Sequence, residues 1–123
     1  MKRALWTLCI VWTAVIFIGC TLPSNLMPTI KVLNVDKMAH FGFFFVQSVL
    51  WGLLLCFKTK QTHFQIIVLV TLSAFLYGGM IEILQSEIFN RSSELYDLIA
   101  DVVGGLTGGL SYRIFAKWLK IST

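Results

Sequence analysis

The chain has 123 residues, of which 57% are hydrophobic and only 13% charged, and its mean hydropathy is +0.80. A soluble domain would have roughly 45–50% apolar and about 25% charged residues, so the composition excludes an ordinary soluble domain and predicts one domain, residues 1–123, that faces lipid. The net charge of +4 does not indicate a nucleic-acid partner, because no basic run is interleaved with aromatic residues.

Four apolar stretches are long enough to cross a bilayer, which takes about 20 helical residues. The predicted fold is all-α, an integral membrane bundle of four transmembrane helices at about residues 4–22, 38–57, 64–83 and 95–118. The first stretch follows a basic head and also fits a secretory signal, but its length favours an uncleaved helix.

Polar and turn-forming residues separate these stretches. Two prolines and several turn-forming residues predict a loop from Pro23 to Val35. Asp36 is placed to cap the second helix or to lie in its first turn. A polar connection then joins the second and third helices, with His63 expected in the loop and exposed to solvent.

The basic residues predict the orientation. If the N-terminus is cytoplasmic, seven of the ten fall inside (Lys2, Arg3, Lys58, Lys60, Arg113, Lys117, Lys120) and three outside (Lys31, Lys37, Arg91). The excess of Lys and Arg predicts that both termini are cytoplasmic. All six acidic residues then fall at the outer end: Asp36, Glu82, Glu87, Glu94, Asp97 and Asp101.

Small residues indicate how the fourth helix packs. Gly104 and Gly108, and likewise Gly105 and Gly109, are four residues apart, the spacing of a closely packed helix face in membranes. The three cysteines lie in apolar runs without pairing or metal-type spacing, which is typical of small buried side chains.

Three helix ends are expected to meet at one depth and to form an acidic pocket that faces outward. The residues expected to bind a ligand there are Asp36, Lys37, His40, Glu82, Gln85, Arg91, Asp97 and Asp101. Ionisable groups inside a membrane are costly and usually functional. The alternative is a network of salt bridges between helices that only fixes the bundle.

The chemistry within this cluster stays open at the sequence level. His40, Glu82 and Asp97 are the candidates for acid–base catalysis, and His40 also fits a metal ligand or a buried histidine with satisfied hydrogen bonds. A zinc enzyme needs three ligands and an open position. The chain offers one useful histidine and no useful cysteine, so we expect no metal and no cofactor.

In these residues the chain resembles the VanZ-like family of small bacterial membrane proteins. The resemblance covers nearly the whole chain and rests on an ordered set: Asp36-Lys37-Met38-Ala39-His40-Phe41, then Glu82 and Gln85, Arg91, Asp97, Asp101, and Gly104, Gly105 and Gly108. Asp101 stands where many relatives carry asparagine. The resemblance implies a multi-pass protein of the bacterial cytoplasmic membrane, and the family's founding member is associated with teicoplanin resistance.

Three functions are compatible with this sequence. The first is binding of a lipid-linked envelope precursor or a glycopeptide in the acidic pocket. The second is a membrane hydrolase or transferase acting on an envelope lipid intermediate through a carboxylate and His40. The third is a cation-coupled transporter, which would require a homo-oligomer because four short helices enclose little volume. The sequence leaves open whether the protein is an enzyme, and the partners expected are the bilayer and one of these ligands.

Overall fold

The computed structural model describes residues 2–22, 35–89 and 94–120. These residues form four helices, α1 (Lys2–Thr21), α2 (Val35–Lys58), α3 (His63–Glu87) and α4 (Leu95–Trp118), and no strand. The all-α prediction is therefore confirmed for this part of the chain. Most of the loop predicted from Pro23 lies outside the described residues.

Two helices extend beyond the apolar stretches that predicted them. α2 begins three residues earlier than expected, so Asp36 lies in its first turn, where an acid interacts favourably with the helix dipole. α3 continues to Glu87, so Glu82 and Gln85 are on the helix. At its start, Thr62 and Gln65 form a capping box, with hydrogen bonds of 3.3 and 2.8 Å between side chain and backbone.

Three helices, α1, α2 and α3, are long and apolar enough to cross a membrane. α4 has 24 residues but is not among them, because two aspartates and four glycines lower its hydropathy. A fourth crossing and the cytoplasmic position of the termini stay predictions.

The glycines of α4 allow it to approach α2 closely. A Cβ atom at Gly104 would overlap the backbone carbonyl of Phe41, and a Cβ atom at Gly108 would overlap that of Phe45. Contacts that advance four residues on each helix in the same direction show that α2 and α4 run parallel. Such backbone contact replaces side-chain packing where no hydrophobic force drives helices together.

The neighbouring glycines face α3. A Cβ atom at Gly105 would meet the methyl group of Ala74, and one at Gly109 would meet a methyl group of Val70. Here the contact moves backwards along α3 as it advances along α4, so these two helices are antiparallel. α4 therefore lies in contact with α2 and α3 at once, which fixes the relative height of all three helices.

α1 packs against α2 and α3. Its polar groups reach across to them: the Trp12 indole Nε1 donates to the Phe43 carbonyl at 3.0 Å, and the Tyr77 hydroxyl donates to the Thr13 carbonyl at 2.8 Å. These bonds satisfy polar side chains that would otherwise lie against lipid. One apolar cluster around Phe44 and a second around Tyr112 complete the core.

Candidate functional site

The N-terminal ends of α2 and α4 and the C-terminal end of α3 lie together, and we call this the polar end of the bundle. Four ionisable side chains are buried there: His40 is 5% exposed, Glu82 7%, Asp97 6% and Asp101 0%. Burying a charge costs several kcal/mol unless it is paired or hydrogen-bonded. The contacts of these groups therefore decide what the site can do.

The most deeply buried contact joins α2 to α4. His40 Nδ1 lies 2.9 Å from Asp101 Oδ1, and both side chains are almost completely enclosed. Glu82 on α3 accepts a hydrogen bond of 2.9 Å from the backbone N–H of Glu94 through Oε2. One ring nitrogen of His40 and one carboxylate oxygen each of Glu82 and Asp101 lie within 4.8 Å of one another. We call these three residues the inner group.

Nearer the surface, one lysine holds three carboxylates. Lys37 Nζ lies 2.7 Å from Glu94 Oε2, 3.2 Å from Asp97 Oδ1 and 3.4 Å from Asp36 Oδ2. We call these four residues the rim group. Asp97 also connects the two groups, because its Oδ2 is 4.0 Å from His40 Nε2. The lysine compensates the carboxylates around it, although exposed ion pairs of this kind add little stability.

Two carboxylate oxygens of the inner group are not used by any described residue. Glu82 Oε1 and Asp101 Oδ2 are buried and have no hydrogen-bond partner within residues 2–22, 35–89 and 94–120. In both side chains the other oxygen is held, by the Glu94 amide or by His40. Buried polar atoms nearly always have a partner, so each free oxygen marks a position where a cation or a donor group would be stabilised.

A glycine on α3 makes room for this arrangement. A Cβ atom at Gly78 would overlap the Asp101 carboxylate, whereas one at the adjacent Gly79 would meet only the Leu98 side chain, at 4.0 Å. Asp101 therefore lies against bare backbone of α3. This contact continues the antiparallel α3–α4 packing by one more turn.

The remaining residues expected at the site have different positions. Gln85 is 2% exposed, and its Nε2 donates to the Cys20 carbonyl at 2.6 Å, so it attaches α3 to the end of α1. Arg91 lies outside the described residues. His63, expected in an exposed loop, is instead the first residue of α3, and its Nδ1 is 2.9 Å from the Tyr112 hydroxyl at the opposite end. That expectation was wrong because polarity alone does not distinguish a loop from a first helical turn.

The helices of the polar end also match a known protein family. The family model described as VanZ/LLP1 matches residues 5–116, which includes α2, α3 and all but the last two residues of α4. The chain belongs to the VanZ/LLP1 family. No curated protein and no solved structure gave a significant match.

Two residues of this VanZ/LLP1 site, Glu94 and Gly78, were not predicted from the sequence. The side chain of Glu94 accepts a hydrogen bond from Lys37, and its backbone N–H donates to Glu82. The position of Glu94 directly before an apolar helix was the signal available in the sequence. Gly78 has no side chain that would mark it as a site residue. It lies four residues after Ala74 on α3, and Asp101 lies four residues before Gly105 on α4. This matching spacing was a signal that could have paired the two helices.

The site has more acid than base. Among the described residues, Asp36, Glu82, Glu94, Asp97 and Asp101 face only Lys37 and His40 as basic partners. The arrangement can hold a cation, accept hydrogen bonds from amines or hydroxyls, and move a proton between His40 and a carboxylate. The site offers few hydrogen-bond donors to an anion, because Lys37 is already paired with carboxylates.

Proposed function

We propose that this VanZ/LLP1 protein is a multi-pass protein of the bacterial cytoplasmic membrane that binds a polar envelope ligand at its polar end. The ligand class is a lipid-linked precursor or a glycopeptide. In this proposal the polar end faces outward, and the distribution of Lys and Arg supports that orientation. The association of the family name with teicoplanin supports the glycopeptide as the first ligand to test.

The observation that carries the proposal is the excess of buried carboxylates over basic groups. A network that only fixed a bundle would balance its charges, because uncompensated buried charge is destabilising. Here three buried carboxylates, Glu82, Asp97 and Asp101, have only His40 and Lys37 as basic neighbours among the described residues. We infer that the rim group contacts amine and hydroxyl groups of the ligand, which donate to carboxylates in strong charge-assisted hydrogen bonds.

Direct binding tests this proposal. Purified protein in lipid nanodiscs would be titrated with teicoplanin and, separately, with a short-chain lipid-linked disaccharide precursor. Asp97→Asn removes one rim charge while keeping the shape of the side chain, and we expect it to weaken binding at least about tenfold, equivalent to about 1.4 kcal/mol. Glu87→Gln is the matched control, because Glu87 is exposed at the end of α3.

Expression in a teicoplanin-susceptible bacterium adds a second readout. The wild-type chain should raise the concentration of drug needed to stop growth, and the Asp97→Asn chain should not, at equal amounts of protein in the membrane. If neither ligand binds and tolerance is unchanged, the binding proposal is wrong.

A second candidate function is favoured by one contact. The buried His40–Asp101 pair, at 2.9 Å, has the geometry in which a carboxylate orients an imidazole for general acid–base catalysis. The corresponding activity would be hydrolysis or group transfer on an envelope lipid intermediate. Turnover of a polyprenyl phosphate analogue by the wild type, lost in His40→Ala, would replace the binding proposal with this one.

A further inference from the structure

We propose that His40, Glu82 and Asp101 form a binding site for a divalent transition-metal ion, with Zn²⁺ as the first choice. The sequence offers one useful histidine and no useful cysteine for a metal. Once α2, α3 and α4 are assembled, however, two carboxylates complete a set of three donors, each from a different helix. The site is separate from ligand binding at the rim and is tested with metal ions alone.

The donor chemistry fits zinc. Zn²⁺ accepts imidazole nitrogen and carboxylate oxygen, and sites with three protein ligands keep a fourth position open. The three donor atoms lie within 4.8 Å of one another, so a small contraction would bring them into one ligand shell. Harder ions such as Mg²⁺ prefer all-oxygen shells that retain several waters, which an imidazole in an enclosed site does not favour.

The free oxygens supply a second, independent observation. Glu82 is only 7% exposed, and Asp101 is fully buried. Each has one oxygen held by a described partner and one that is not. The Glu94 N–H thus supports Glu82 from outside the ligand set, as hydrogen bonds around metal sites do: it fixes the orientation of the carboxylate and leaves Oε1 available. In Asp101 the contact with His40 occupies Oδ1 and leaves Oδ2 available.

Charge balance points to a divalent ion. Two ionised carboxylates and a neutral imidazole carry two negative charges, which one divalent ion cancels, and metal binding requires the ligands in these forms. The rim group provides the contrast. Its three carboxylates, Asp36, Glu94 and Asp97, are equally close together, but Lys37 Nζ contacts all three and takes the place of a cation. The inner group contacts no lysine among the described residues.

The test measures metal binding to the full-length protein, purified in detergent without a polyhistidine tag. After incubation with Zn²⁺ and desalting, we expect about one zinc per chain by elemental analysis. Titration should show that Glu82→Gln and Asp101→Asn each weaken binding at least about a hundredfold, since even changes to supporting residues cost about 10- to 100-fold. Zn²⁺ should also raise the melting temperature of the wild type and not of these variants.

Two control variants locate the ion. Glu94→Gln changes the rim and should leave zinc stoichiometry at one per chain. His63→Ala removes the other histidine of the chain and should also have no effect. Wild-type protein that retains no zinc, or that binds it as well after Asp101→Asn, would overturn the proposal. Zinc retention that is normal in Glu94→Gln and His63→Ala and lost in Glu82→Gln locates the ion even if Asp101→Asn fails to fold.

Discussion

The carboxylate of Asp101 has no access to solvent and lies between the imidazole of His40 and the backbone of α3 at Gly78. A carboxyl group in this position is costly unless its oxygens are used. One oxygen is bonded to His40, and the second is where a bound cation would compensate the charge. The residue therefore links the packing of three helices to the chemistry proposed for the site.

The space for Asp101 can be tested at Gly78. We expect Gly78→Ala to lower the free energy of unfolding by about 1–3 kcal/mol, because the new methyl group overlaps the carboxylate and forces repacking. Thermal unfolding in detergent, followed by circular dichroism, measures the change. Gly79→Ala is the matched control, since its methyl group meets only Leu98 and alanine is the better helix former. Equal melting temperatures for the two variants would contradict the close Asp101–Gly78 contact.

Among the elements, α4 has the most demanding packing, because its two glycine pairs bring it against α2 on one side and α3 on the other. The arrangement has a consequence for the site. Gly104 is one turn from Asp101 on the same helix, so any change in the α2–α4 distance at Gly104 also moves Asp101 away from His40.

We therefore expect Gly104→Ala to affect both stability and metal binding. The methyl group would overlap the Phe41 carbonyl, which is backbone and cannot rotate away. The free energy of unfolding should therefore fall by about 1–3 kcal/mol. Zinc affinity should fall in the same variant. Gly42→Ala, where nothing lies within 4 Å of the new atom, should be neutral in both assays. A Gly104→Ala protein with wild-type stability would refute the backbone contact.

The sequence predicted the number and order of these helices but not their ends. The length of an apolar run reflects the thickness of the lipid core that it crosses, whereas a helix continues as long as its backbone hydrogen bonds are satisfied. α3 thus passes Ile83, where its apolar run ends, and continues to Glu87. The same distinction explains α4, which has the length of a span but not the hydropathy of the other three.

Part of the residue set of the site was predictable from the sequence, but its contacts were not. Spacing placed Asp97 and Asp101 on one face of α4, and the high cost of membrane-buried charge singled out Glu82. No pattern indicated that the Glu82 carboxylate would accept the N–H of Glu94, or that Gln85 would bond to α1. Such contacts depend on helix rotation and height, which the glycine packing fixes only in three dimensions.

The bundle is acidic at one end and basic at the other. The acidic side chains at the helix ends lie with α2 and α4 N-termini, while the exposed Arg113, Lys117 and Lys120 belong to the opposite end. Positively charged loops are retained on the cytoplasmic side of bacterial membranes. We therefore expect the polar end to face outward, where an antibiotic or an exported precursor could reach it.

Thiol labelling in right-side-out spheroplasts tests this most directly, with a membrane-impermeant maleimide and single introduced cysteines. Glu94 is partly exposed at the polar end, and Lys60 is exposed in the connection between α2 and α3. The wild-type chain, with its own three cysteines, provides the background. We predict that Glu94→Cys is labelled in intact spheroplasts and Lys60→Cys only after permeabilisation. The reverse pattern would place the acidic site on the cytosolic face and contradict the proposed function.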